Sequence, residues 1–192
     1  MLKKILIVAV VAIAALVVII SKQPSDFSVS RNLAMDASKS AVFAHVNNFH
    51  KWHAWSPWAK LDANAKTEFE GAEEGVGAVM KWSSTHKEVG AGSLKITDSS
   101  LDQTIKMTLE MVKPYAGVSE VEFSFEGLND KQTVVTWSMK GKKNFFAKAV
   151  GLFHDCSKMV GDKFEEGLSN LRNVVEGKVP ATEEVKTEEV KK

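Results

Sequence analysis

The chain holds five histidines and a single cysteine, the residue types most often recruited as base, nucleophile or metal ligand. His50 and His53 lie close together, but no His-Glu-x-x-His pattern and no Cys/His pair accompanies them, so they read as residues of an exposed turn and no metal site is expected. Each step along a helix turns a side chain by about 100°, so His154 and Cys156 form no obvious nucleophile–base dyad. Cys156 reads instead as a small buried residue of a helix. The carboxylate pairs Glu73-Glu74, Glu165-Glu166 and Glu183-Glu184 all fit solvated positions. There is no Gly-x-Ser-x-Gly elbow and no glycine-rich loop followed by Lys-Ser or Lys-Thr. Gly90-Ala91-Gly92 precedes a strand and reads as a bend or bulge. No residue is assigned a catalytic role, and no cofactor is expected.

The large apolar side chains are more informative. Trp52, Trp55 and Trp58 recur every three residues, a spacing that lines one side of a short helix, with Pro57 fixing the backbone beside them. They can close the open end of a sheet as core. They can also form a cavity mouth, where a wide ring with one donor grips an amphipathic molecule. Strand parity collects further candidates on common faces: Met80 with Trp82; Ile105 with Met107, Leu109 and Met111; Val121 with Phe123 and Phe125; Val135 with Trp137 and Met139. A helical stripe adds Phe153 and Val160. Each set reads as ordinary core or as the lining of a pocket. The collection is almost wholly apolar and rich in methionine, whose flexible thioether adapts to irregular ligands. The ligand-binding candidates are Trp55, Trp58, Met80, Trp82, Ile105, Met107, Leu109, Phe123, Trp137, Met139, Phe153 and Val160. No inward-facing charged pair is evident among them, such as an enzyme acting on a polar substrate would show.

The elements that position these residues follow from periodicity. After a linker over 23–27, residues 27–35 alternate apolar and polar as a strand. Asp36 and Ser38 are candidate N-caps for a helix over 39–47, and the tryptophan-rich stretch follows as a turn with one short helix. Period-two segments over 66–71, 76–84, 90–99, 101–113, 118–127 and 132–140 are joined by short turns, which implies antiparallel neighbours. Phe153, Ser157, Val160, Phe164, Leu168, Leu171 and Val175 recur at steps of three and four, predicting one long helix from about 144 to 176. Its glycines at 151, 161 and 167 signal close approach to the sheet or a bend. Residues 177–192 form a charged tail without core periodicity and are expected to be disordered.

The N-terminus has a character of its own. Lys3 and Lys4 precede an unbroken apolar run from Ile5 to Ile20, followed by Ser21 and Lys22. Sixteen helical residues rise roughly 24 Å, and Met1, Leu2 and the lysine stems extend the span toward the ~30 Å of a bilayer core. The bulky Val17-Val18-Ile19-Ile20 makes a poor peptidase site, so residues 1–22 read as an uncleaved signal-anchor, a transmembrane segment, rather than a cleaved leader. The lysine bias places the N-terminus in the cytoplasm and the domain outside, in the periplasm if the cell is Gram-negative. The segment between anchor and tail carries a net charge of −2 and no basic patch, which argues against nucleic acid. One cysteine allows no internal disulfide, so the domain depends on its core.

The order of elements resembles the α+β helix-grip fold, in which a curved antiparallel sheet wraps a long C-terminal helix. The resemblance is sharpest at Trp52-His53-Ala54-Trp55-Ser56-Pro57-Trp58. It continues through Gly75–Trp82, Thr133–Gly141 and Phe164–Leu171. Together these resemble the polyketide cyclase/dehydrase-like branch of the START-related (SRPBCC) superfamily, over residues 28–176. The resemblance implies a cavity for a hydrophobic small molecule or lipid. The resulting expectation is a membrane-anchored binding protein. The alternatives are a cyclase, dehydratase or hydrolase using a pocket histidine, or a ligand-free envelope scaffold.

Overall fold

A computed structural model describes residues 1–62, 64–152 and 155–178. It begins with helix α1 (Leu2–Lys22), whose 21 residues span about 32 Å. Strand β1 (Asp26–Met35), helix α2 (Lys39–Val46) and a 3₁₀ turn, Phe49–Ala54, follow. Six strands come next: β2 (Lys66–Gly71), β3 (Ala78–Ser83), β4 (Ala91–Ser100), β5 (Thr104–Lys113), β6 (Gly117–Asn129) and β7 (Gln132–Lys142). Helices α3 (Phe145–Val150) and α4 (Cys156–Val175) complete the chain.

The strands form one antiparallel sheet in the order β1-β7-β6-β5-β4-β3-β2. Consecutive strands from β2 to β7 pair by short turns, while β1 reaches the far edge beside β7. The predicted strands agree with those observed, and the register shifts between Ala91 and Gly92, so the Gly90–Gly92 segment does carry a bulge.

Side-chain caps set the helix starts. Ser38, rather than Asp36, caps α2 through the Ala41 N–H; Asp36 instead accepts from the Gln132 amide and donates its own N–H to Glu176. The single helix expected over 144–176 is a correction: it is two. Asn144 caps α3 by accepting the Ala147 N–H, Gly151 ends it, and Asp155 caps α4 by accepting the Lys158 N–H. Each cap satisfies an otherwise orphaned donor, which fixes a fresh helix start at each place. Cys156 is thus the first residue of α4, and it is half-buried rather than buried.

The core lies between the concave face of the sheet and α4. Ile96, Ile105, Met107, Phe123, Val135, Phe164, Leu168 and Leu171 are among its buried members. Each such side chain contributes roughly 1.5–3 kcal/mol of hydrophobic stabilisation. At one end α2 seals the layer: Val42 and Val46 are fully buried, and Phe43 meets Phe125 edge-on with ring centroids 5.4 Å apart.

Candidate functional site

Register places the inward side chains in successive layers along the strands. Above the Phe125–Val135–Leu33 layer at the α2 end runs a layer of Ile105, Phe123, Trp137 and Arg31 across β5, β6, β7 and β1. Above it lie Ile96, Met107, Val121, Met139 and Val29. Next come Met80, Leu94, Leu109, Ser119, Gly141 and Phe27. The outermost layer is Trp82, Gly92, Met111 and Gly117. The central strands therefore present large side chains in the deep layers and small ones, Ser119, Gly141, Gly92 and Gly117, in the outer two.

Burial follows the same gradient. Along β5, Ile105 and Met107 are buried while Leu109 and Met111 are half-buried; along β7, exposure rises from 0% at Val135 through 3% at Trp137 to 9% at Met139. On α4, Leu171, Leu168 and Phe164 are buried and Val160 and Ser157 are not. Phe27, Met80, Trp82, Leu109 and Val160 pack against the core from this incompletely covered end. Burial between sheet and helix thus thins toward the end where β1 begins, β7 finishes and α4 starts, while Leu33, Val174 and Val175 are half-buried toward the α2 end.

The floor beneath the thinly covered end is aromatic. The Trp137 ring stacks on Phe164 at 4.1 Å with planes 9° apart, and on Phe123 at 4.8 Å. Trp55 and Trp58 meet Trp137 edge-on at 5.8 and 6.0 Å, as the ring quadrupoles favour. Trp55 is fully buried and its indole N–H reaches the His45 carbonyl oxygen; Trp52 donates to the Val46 carbonyl oxygen. Trp82 donates to the Val89 carbonyl oxygen and lies over Gly92, where any Cβ would strike its ring. Trp137 differs from these: its Nε1–H is buried with no acceptor among the described residues. A buried donor left so costs about 1–3 kcal/mol.

The structure thus brings Met80, Trp82, Leu109 and Val160 to the half-buried end, Ile105, Met107, Phe123, Trp137 and Met139 to the buried layers beneath, and Trp55 and Trp58 against Trp137. Phe153 lies outside the described residues, as do His154 and residues 179–192 of the tail. The remaining histidines do not converge. His50 and His53 are exposed, the former stacked on Phe69 at 4.0 Å, and His86 occupies the β3–β4 turn. His45, on α2, is half-buried; desolvation first, and Lys51 second, hold its pKa below the usual 6.5. No cluster of potential metal ligands occurs among the described residues.

One residue escaped the sequence reading. Arg31 occupies an inward position of β1, between Val29 and Leu33, and its Nε donates to Glu165 Oε1 on α4 at 2.5 Å. Its guanidinium lies against Gly161, where no Cβ could fit beside it unmoved. Arg31 is thus a charged residue at an inward parity position, but its partner Glu165 is exposed and the pair lies at the edge between β1 and α4. The signal was a charged residue at an apolar parity position, opposite a helix glycine.

This curved sheet gripping α4 defines a helix-grip domain. Residues 26–176 match the model of the family described as polyketide cyclase / dehydrase and lipid transport, and the chain belongs to that family. No curated protein matches it by sequence. Among solved structures it is similar to norcoclaurine synthase from Thalictrum flavum, with a TM-score of 0.60 at 12% identity, covering 82% of this chain and 90% of that one. The Zhui aromatase/cyclase from a Streptomyces species aligns with a TM-score of 0.59 at 14% identity, over 81% and 97% of the two chains. The Aha1 dimer from Colwellia psychrerythraea gives 0.56 at 16% identity, over 78% and 96%. At such identities the likeness concerns the fold.

Proposed function

We propose that the chain is a membrane-anchored binding protein that takes an apolar or amphipathic small molecule, lipid included, between the sheet and α4. The observation that carries this reading is the half-buried outer layer. There Met80, Leu109, Phe27 and Val160 surround Ser119 and Gly141 above an aromatic floor, so apolar surface remains uncovered at one end of the core. Uncovered apolar wall with few polar groups is how small-molecule sites are built. The unpartnered Trp137 N–H gives the floor one donor for a polar atom of the guest. Helix α1 has the length and apolarity to cross a bilayer and is almost wholly exposed. It would hold the site beside a source of such molecules.

Native mass spectrometry of the full chain, extracted from its own membrane in mild detergent, tests this. A co-purifying apolar species is expected. Leu109→Trp should displace it by filling the outer layer, with the thermal transition retained. A wild-type protein that emerges empty removes the reading.

A second reading, a structural module without ligand, is favoured by the close stacking of Trp137 between Phe123 and Phe164. It expects the empty outcome in the same experiment.

A further inference from the structure

The half-buried end of the core coincides with the end of the domain nearest α1. Only Gln23–Ser25 separate α1 from β1, a link of at most ~10 Å. Asp26 pairs with Lys142, and the Lys143 N–H donates to the Ser25 carbonyl oxygen at 2.6 Å. Ile20, the buried residue of α1, marks where that helix meets the domain, and α1 packs against α3.

Exposed apolar side chains gather at this end. Val112, Tyr115 and Val118 flank the β5–β6 turn, and Phe145 and Phe146 stand on α3. The two groups are joined: the Tyr115 and Phe146 ring centroids are 4.8 Å apart, and the Asn144 amide donates to the Ala116 carbonyl oxygen. Lys113, Lys142, Lys143 and Lys148 surround them, and none pairs with a carboxylate among the described residues. Asp26, Glu88, Glu110 and Asp155 are the acidic residues of this end, and Glu110 faces Val118 across the β5–β6 pair. The opposite end carries Asp36, Glu73, Glu74, Asp102 and Asp130 in its turns, with Lys39 and Lys131 among them. The domain therefore presents lysines unpaired among the described residues, with aromatic rings, on the α1 side and a majority of carboxylates on the other.

We infer that the β5–β6 turn and α3 form a docking face for the surface of an anionic bilayer, the one that α1 crosses. This rests on the anchored reading above. Tyrosine and phenylalanine rings settle at the level of the headgroups, and lysines beside them meet lipid phosphates. A docked domain turns the half-buried end of its core toward the lipid, so an apolar guest passes between bilayer and core without crossing water.

The test uses the full chain in vesicles of phosphatidylethanolamine and phosphatidylglycerol. In a Cys156→Ser background, single cysteines at 146, 101 and 10 (Phe146→Cys, Leu101→Cys, Val10→Cys) carry nitroxides, with Phe145→Cys as a second probe of the face. Collision with an aqueous nickel chelate is compared with collision with oxygen. The label at 146 should be shielded from nickel and reached by oxygen, while the label at 101 in the β4–β5 turn stays aqueous. Lys142→Gln, Lys143→Gln and Lys148→Gln together should lower the docking equilibrium by about a hundredfold, at about fivefold per lysine, and return 146 to water. Labels at 146 and 145 as aqueous as that at 101, with the label at 10 still in lipid, overturn the docking face and leave the anchor standing. An aqueous label at 10 overturns the anchor and the docking face together.

Discussion

Gly161 and Gly167 both sit inside α4, and helix propensity alone favours alanine at each by about 1 kcal/mol. The structure separates them. A Cβ on Gly167 would lie 2.8 Å from Cζ3 of Trp137 and 3.0 Å from Cδ of Pro57. Neither can yield, because the indole is stacked on Phe123 and Phe164 and the proline is buried. Overpacking costs about 1–3 kcal/mol, and about 2–3 where neither neighbour can yield, so after the gain of about 1 in helix propensity Gly167→Ala should lose about 1–2 kcal/mol net. At about 2–4 °C per kcal/mol for a domain of this size, its melting temperature should fall by roughly 2–8 °C. At Gly161 the obstacle is the tip of the Arg31 side chain, 32% exposed and free to swing out. A part-exposed ion pair is worth about 0–1 kcal/mol, so Gly161→Ala should fall within about 1 kcal/mol of wild type. The assay is thermal and urea unfolding of the full chain in detergent, followed by circular dichroism. Trp137→Phe in the Gly167→Ala background should recover part of the loss, a coupling of at least about 0.5 kcal/mol. A Gly167→Ala protein melting at or above the wild type would refute the seating of α4 on Trp137, and with it the closed floor of the site.

Three further outcomes are expected. Trp137→Phe should lower guest retention measured by native mass spectrometry while leaving the delipidated protein within about 1–2 kcal/mol of wild type, because loss of a buried donor with no acceptor among the described residues offsets part of the lost packing on Phe123 and Phe164. His45 is held below its ordinary pKa, so the unfolded chain binds a proton at higher pH than the folded one; stability should be complete above about pH 6.5 and decline as pH falls through the depressed value, and His45→Gln should flatten that limb in a melting series. Leu171→Ala, at a fully buried position, should cost about 2–5 kcal/mol in urea unfolding, whereas Phe146→Ala, at an exposed one, should leave the midpoint within about 0.5 kcal/mol.

The sheet was readable because period two leaves little freedom. Gln103–Met111 and Val121–Glu126 alternate so cleanly that the inward faces follow from parity alone, and short turns admit only antiparallel neighbours. The C-terminal helix was misread for a physical reason. Apolar spacing from Phe153 to Val175 is continuous, and spacing does not report a break. The signals were Asn144 and Asp155, two capping side chains eleven residues apart with Gly151 between them. Arg31 was hidden by its neighbours, since four apolar residues at the same parity outweigh one charge in any pattern. The direction in which burial thins was not legible at all. It depends on which ends of β1, β7 and α4 coincide, and that is set by pairing across the whole chain.

That pairing has a consequence for synthesis. β1 is the first strand to be made, yet its only neighbour in the sheet is β7, the last. The ribbon from β2 to β7 can assemble by adjacent turns, each closing a short loop, while β1 waits through nearly the whole of translation. During that wait the chain presents two unsatisfied hydrogen-bonding borders, one on β1 and one on the last strand of the growing ribbon, and a chain cut before β7 keeps both. Quality control of this protein therefore falls on a single late event, the zipping of its oldest strand onto its youngest.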